Sequence, residues 1–321
     1  MTYIDRSEVP HVLVAIDPGA SSIKVTFSLK GSTQCQTLTI EPYCTKIDET
    51  PVPRGFFDQN SVWVGVSGAN YAVGNYAVSE YDCPLEIKPL KIETIVPKIC
   101  AAISVIHRQL ELPVRFELSL LSVLPPGEYG YKDEAISQLR LACRKILTPS
   151  GIVRPIVKTI EVYPEGFGVM MWHRNVGIAR NRDIGVIMMG FRNTSVLFCR
   201  SGEITKPKSS DYGLYNALER IASASGGYPE SELILPVWRY VMAGNAEAFG
   251  SVCRSTDRER EIGILVQATD KAMGIYRRNL ETWLRGAMQR TQVIVLCGGN
   301  ADYIGENIVP FCKIMSSQIR Y

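Results

Sequence analysis

The apolar run Val12-Leu13-Val14-Ala15-Ile16 breaks at Asp17-Pro18-Gly19 and resumes almost at once as Ile23 to Leu29. Aliphatic and β-branched residues bounded by turn formers read as a buried strand, a tight turn and a returning strand. The same arrangement recurs far along the chain: Ile184 to Met189, a turn at Gly190 to Asn193, and a return from Thr194 to Cys199. Each pair opens a stretch in which strands alternate with amphipathic helices, and that alternation predicts an α/β layer fold. The halves share organisation, not sequence. At 321 residues the chain exceeds what one hydrophobic core ordinarily supports, so two lobes are expected.

Short strands fill the first part of the chain. Gln36 to Ile40 is a third strand, Val62-Trp63-Val64 and Tyr71-Ala72-Val73 are others, and no helix is predicted before Glu86. From Glu93 to Leu110 the apolar residues Ile95, Ile99, Ala102, Ile103 and Ile106 repeat at helical spacing. A strand from Val114 to Val123 follows, then a helix over 132–147 with Ala135, Ile136, Leu139, Ala142 and Ile146 on one face, then a strand from Ile152 to Val162. In the second half Tyr212 to Ala224 reads as a helix led by the capping residues Ser209, Ser210 and Asp211. A charge-laced helix runs from Arg258 to Met288, and the buried strand Val293 to Leu296 runs into Gly298-Gly299-Asn300.

Bulk composition narrows the classes. Hydrophobic residues make up 46% and charged residues 21%, enough apolar surface for packed cores and against wholesale disorder. A net charge of +3 gives no basic stripe of the nucleic-acid kind, so no direct nucleic-acid binding is expected. The nine cysteines include no CxxC pair and no Cys/His set at metal spacing. No secretory h-region opens the sequence, no apolar run reaches the roughly 20 residues of a membrane span, and no amphipathic terminal helix suggests lipid attachment. A reducing cytoplasm is the expected setting, with thiols packed as small hydrophobes. His11, His107 and His173 lie far apart and read as packing or surface residues, as do the four tryptophans.

Three turns have the chemistry to hold a nucleotide. In Asp17-Pro18-Gly19-Ala20-Ser21-Ser22-Ile23-Lys24, an acid ends a buried strand where open α/β sheets bind ligands. Gly19 lets the backbone approach a phosphate, the amides of Ala20, Ser21 and Ser22 can form an anion nest, and Lys24 adds a cation. Asp17 can hold Mg²⁺ through water. An ordinary hairpin whose Asp and Ser bond their own backbone is the alternative. At Gly190 to Thr194, Asn193 or Thr194 can reach a phosphate oxygen, with a plain hairpin as the alternative. The paired glycines of Gly298-Gly299-Asn300 can pass close beneath a base and ribose, or simply join a strand to a helix. There is no GxxxxGK[ST], and no GxGxxG follows a strand.

The order of these turns resembles the actin superfamily, with ParM-type proteins as the nearest subgroup. Asp17 to Lys24 resembles the first phosphate motif DxGxxxxK, residues 188–194 stand where the second belongs, and Val293 to Ala301 is similar to the adenosine motif. Tyr163-Pro164-Glu165-Gly166 resembles the connecting segment, and Val73-Gly74-Asn75-Tyr76-Ala77 resembles a VGxxA stretch of ParM-like proteins. The resemblance implies a ribonuclease H-like, two-lobed α/β fold with the nucleotide between the lobes. Its lobes would be 1–180, with a small subdomain near 31–90, and 181–305, with 306–321 returning to the first. It implies ATP or GTP with Mg²⁺, head-to-tail self-assembly, a cytoplasmic cytoskeletal role such as DNA segregation, and a small DNA-binding or cortical adaptor. Glu165 would position the attacking water, and would also suit a helix start.

One departure bears on turnover. The second phosphate motif opens with Asp, and Met188 stands there, with Asn193 in the place of its Thr. A methionine can hold neither a metal nor a water. Asp183, at the far end of the same strand, is no substitute. Slow or impaired hydrolysis is therefore expected. A small-molecule kinase of the same superfamily and a scaffold that has lost its nucleotide are the alternatives.

Overall fold

The computed structural model describes residues 9–48, 60–84, 90–175, 182–201, 203–205, 207–302, 308–310, 312 and 318–320. The chain divides into two compact units, Met1–Leu124 with Glu128–Pro164, and Pro125–Gly127 with Glu165–Tyr321.

In the first unit, β1 (His11–Pro18) pairs antiparallel with β2 (Ile23–Leu29), which pairs with β3 (Gln36–Ile40). After β4 (Cys44–Ile47), β5 (Ser61–Val66) and β6 (Ala69–Gly74) come the helices α1 (Asn75–Tyr81) and α2 (Lys91–Gln109). The strand β7 (Glu117–Leu124), α3 (Lys132–Ala142), β8 (Ile146–Thr148), β9 (Gly151–Val153) and β10 (Ile156–Pro164) complete it. One sheet has the order β10-β7-β1-β2-β3 and the other β4-β6-β5-β8-β9. The strands β1, β7 and β10 are parallel, so Pro18, Leu124 and Pro164 all end at one edge. Ile95, Ile99, Ala102, Ile103 and Ile106 of α2 are buried with Val12, Val14, Ile16 and Val25 of the sheet. Each isoleucine or valine among them contributes about 1.5–3 kcal/mol on burial, and Ala102 less.

In the second unit, α4 (Phe167–Asn175) precedes β11 (Ile184–Met189), β12 (Thr194–Arg200), β13 (Glu203–Ile204) and β14 (Lys208–Ser210). Then come α5 (Tyr215–Ala224), α6 (Glu230–Ala243), α7 (Arg258–Ala287), β15 (Val293–Cys297) and β16 (Gln318–Arg320). The sheet order is β13-β12-β11-β15-β16, with β14 also on β12, and β11, β15 and β16 run parallel. Both faces are covered. Ile187, Met189, Ile294 and Leu296 pack with α5, α6 and α7, while Ile184, Val186, Val293 and Val295 pack with Met170 of α4. Two-sided burial explains why β11 and β15 read as unbroken apolar runs. The side chain of Asp257 accepts from the Arg260 amide and starts α7.

Several expected elements take other forms. The helix at Asn75–Tyr81 falls where none was predicted. The helix expected over 132–147 stops at Ala142, and Ile146 begins a strand instead. The single strand expected from Ile152 splits into two at Pro155, which has no N–H for a ladder. Ser209 and Ser210 do not cap α5: they lie in β14, and Leu214 stands at the helix start. The expected lobe boundary at 180 lies outside the described residues, while the contacts divide at Pro164. Of the segment 306–321, residues 318–320 pair with β15 of the second unit.

Candidate functional site

The hairpin at the edge of the first unit carries Asp17. Pro18 pairs with Ile23, leaving Gly19 to Ser22 as the loop, and Asp17 stands directly opposite Lys24. A Cβ at Gly19 would lie 2.8 Å from the Ser22 carbonyl, so the tight turn requires glycine there. Ser21 and Lys24 are exposed; Ala20 and Ser22 are half-buried. Two lysines from α2 reach this turn. Lys91 Nζ donates to Asp17 Oδ1 at 2.7 Å, and Lys98 Nζ donates to the Gly19 carbonyl at 3.4 Å. Both lysines are buried, at 7% and 5% exposure. The buried carboxylate of Glu128 accepts the Ile92 amide and so holds the start of α2 in place.

In the second unit the other two turns are joined. The Gly190 amide donates to the Asn193 carbonyl at 2.8 Å, closing the hairpin between β11 and β12. Because β11 and β15 are parallel, this hairpin and Gly298-Gly299-Asn300 emerge at the same edge, the carboxyl ends at which open α/β sheets take ligands. Asn300 fastens them together. Its amide donates to the Met189 carbonyl at 3.1 Å and its Nδ2 donates to the Gly190 carbonyl at 2.5 Å. Gly298 has φ +99°, and a Cβ there would stand 2.4 Å from the Met189 carbonyl. At Gly299 no atom of the described residues lies within 4 Å of that position.

Not every expected group is free to bind. Thr194 is fully buried and its hydroxyl donates to the Tyr212 carbonyl at 2.6 Å, so it serves the hairpin's own structure. Asn193 is nearly buried. Beneath both turns lies Tyr276 of α7, 2% exposed, its hydroxyl beside Thr194 and Asn300. Burial raises its pKa and those two neighbours draw it partly back.

Glu165 follows directly on β10 and is 9% exposed, two residues ahead of α4. At the next residue, a Cβ on Gly166 would meet the Met188 sulfur at 3.6 Å. Met188 thus extends the apolar layer under α4 to the place where the motif resembled in the sequence has its acid. Asp17 is paired with Lys91, and among the described residues no three His, Cys, Asp or Glu side chains gather into an all-protein metal site. A Mg²⁺ held through water and phosphate oxygens needs only one or two carboxylates. The glycine turns of each unit suit a ligand approached by backbone.

The fold is that of the actin-like proteins, and the likeness spans nearly the whole chain. The archaeal actin homolog Ta0583 matches with a TM-score of 0.62 at 17% identity, covering 96% of this chain and 93% of that one. Within the fold, similar structures include Bacillus thuringiensis ParM with AMPPNP, with a TM-score of 0.59, 12% identity and coverage of 97% and 93%. AlfA from B. subtilis plasmid pLS32, solved as a filament, has a TM-score of 0.56, 14% identity and coverage of 96% and 91%. No family model matches the chain, and no curated protein matches it in sequence.

Lys91, Lys98 and Tyr276 are absent from the sequence-level expectations. Each lies on a helix far along the chain from the turn it touches, and a lysine near a helix start ordinarily reads as solvated.

Proposed function

We propose that this chain is a self-assembling, nucleotide-dependent cytoskeletal protein with slow or impaired hydrolysis. The observation that supports it is the placement of the candidate turns in an actin-like fold: each lies at the carboxyl ends of parallel strands. The first unit's hairpin takes the polyphosphate, through the amides after Gly19 and the ammonium of Lys24. The second unit's Gly298-Gly299 backbone takes the base and ribose of ATP or GTP. Glu165 orients the attacking water, and with Met188 in place of an acid the step is slow. Ta0583 has been solved with ADP, ParM with AMPPNP and AlfA as a filament, which favours a polymer governed by its nucleotide. Segregation of DNA through a small adaptor is the role proposed for that polymer.

Sedimentation and negative-stain microscopy with ATP, GTP, a non-hydrolysable analogue and no nucleotide test this reading. Filaments are expected only with a triphosphate, and are expected to persist after ATP addition. Equal sedimentation in all four conditions, or none in any, would exclude a nucleotide-governed polymer.

A further inference from the structure

We infer that Tyr276 is a positioning residue of the proposed nucleotide site: its buried hydroxyl draws the second unit's two candidate turns together when they carry a ligand. The inference rests on the nucleotide reading above and deepens it within the second unit alone.

Tyr276 is buried in the core of the second unit, with Met273 and Leu280, about one helical turn away on each side, buried in the same core. That packing holds the ring in place. The hydroxyl lies beside Thr194, the first residue of β12, and Asn300, in the glycine loop. Neither neighbour meets it with the distance and angle of a hydrogen bond, so the hydroxyl is buried and unsatisfied among the described residues. A hydroxyl left in that condition is destabilising, and each one in a native fold calls for an explanation.

The two neighbours narrow the explanation. The Thr194 hydroxyl gives its proton to the Tyr212 carbonyl at 2.6 Å, so toward Tyr276 it can only accept. The Asn300 side chain donates to the Gly190 carbonyl through Nδ2, and its own oxygen can accept. One proton on Tyr276 therefore stands near two acceptors, one belonging to each turn. A small shift of either turn, of the kind a ligand resting on the backbone at Gly190 or Gly299 brings, completes a bond to the hydroxyl. A ligand changes a conformation only through interactions that differ between the two states. The Tyr276 hydrogen bond supplies that difference, because it forms only in the arrangement the ligand favours. The rigid ring in the core is the fixed point, and the two turns are what it orders.

The test uses the full chain as wild type and as Tyr276→Phe, which keeps the ring and removes only the hydroxyl. Affinity is read by equilibrium titration with a fluorescent ATP analogue in Mg²⁺, and stability by urea unfolding without nucleotide. Tyr276→Phe is expected to unfold at the wild-type urea midpoint or above it, since only an unsatisfied group is lost. It is expected to bind the analogue about three- to tenfold more weakly, the worth of one hydrogen bond. Unchanged affinity overturns this inference and leaves the nucleotide reading intact. A lower urea midpoint, or failure to fold, also overturns it, because the hydroxyl would then already support the fold without ligand. Absence of binding by the wild type overturns the nucleotide reading, and this inference with it.

Discussion

Asp17 and Lys91 share an ion pair without sharing its burial, and the two halves should not be equally dispensable. Asp17 is 28% exposed and can recover water when its partner goes; Lys91, at 6%, cannot. Removing the acid takes a charged partner from a buried cation, the costlier loss. Asp17→Ala is therefore expected to lose about 1–3 kcal/mol in urea unfolding and Lys91→Met clearly less, the figure lowered for the acid's partial exposure. Equal losses would mean the pair is effectively solvated. The thiols give a second reading of local environment. Cys35 is exposed, whereas Cys100 and Cys143 are buried. Burial pushes the Cys143 thiol up to about 12 and Cys100 well above its ordinary value. The thiolate is the reactive form, so near neutrality these two are inert. Ellman's reagent on native protein is expected to show a fast phase that Cys35→Ser removes, with Cys100 and Cys143 reacting only on unfolding. A fast Cys143 would contradict the packing between α2 and α3.

At the scale of elements, α2 joins the core to the hairpin, and its far end carries a pH dependence. His107 packs against Phe116, ring centroids 6.1 Å apart, and burial holds its pKa below the ordinary value. The unfolded chain then takes up a proton that the folded chain resists, so stability is highest above the unfolded value of about 6.5 and falls as pH drops through it. Urea midpoints at about pH 7.5 and about pH 5.5 are expected to differ less in His107→Gln than in wild type. An unchanged difference would place the sensitivity elsewhere. The same helix shows what the sequence reveals. Its apolar face was legible because Ile95, Ile99 and Ile103 repeat with the helical period, and β1, β11 and β15 because runs buried on both faces or ended by glycine have few other readings. The helix α1 was not, since its seven residues follow a strand directly and contain one fully buried side chain, Ala77. Nor was the end of α3, where tertiary pairing of Ile146 with Val153 overrides a helical pattern that continues past it. The site divides likewise. Asp17, Gly19, Gly298 and Asn300 mark themselves by turn chemistry, whereas Lys91, Lys98 and Tyr276 reach the turns only through long-range packing.

For the whole molecule, the central proposal is a nucleoside triphosphate held by backbone turns in an actin-like fold. Among the described residues no helix is long and apolar enough to cross a membrane. Of the candidate turns' glycines, the most sharply constrained is Gly298, where φ is +99° and any Cβ would enter the Met189 carbonyl. Gly298→Ala must shift the loop that Asn300 ties to β11, so it disturbs the proposed base and ribose contact while leaving the first unit's hairpin untouched. Equilibrium titration of wild type and Gly298→Ala with a fluorescent ATP analogue, each first shown to be folded by circular dichroism, is the most direct test. Saturable one-to-one binding by wild type, weakened at least about tenfold in Gly298→Ala, is the predicted result. Equal binding by both, or none by the wild type, would contradict it.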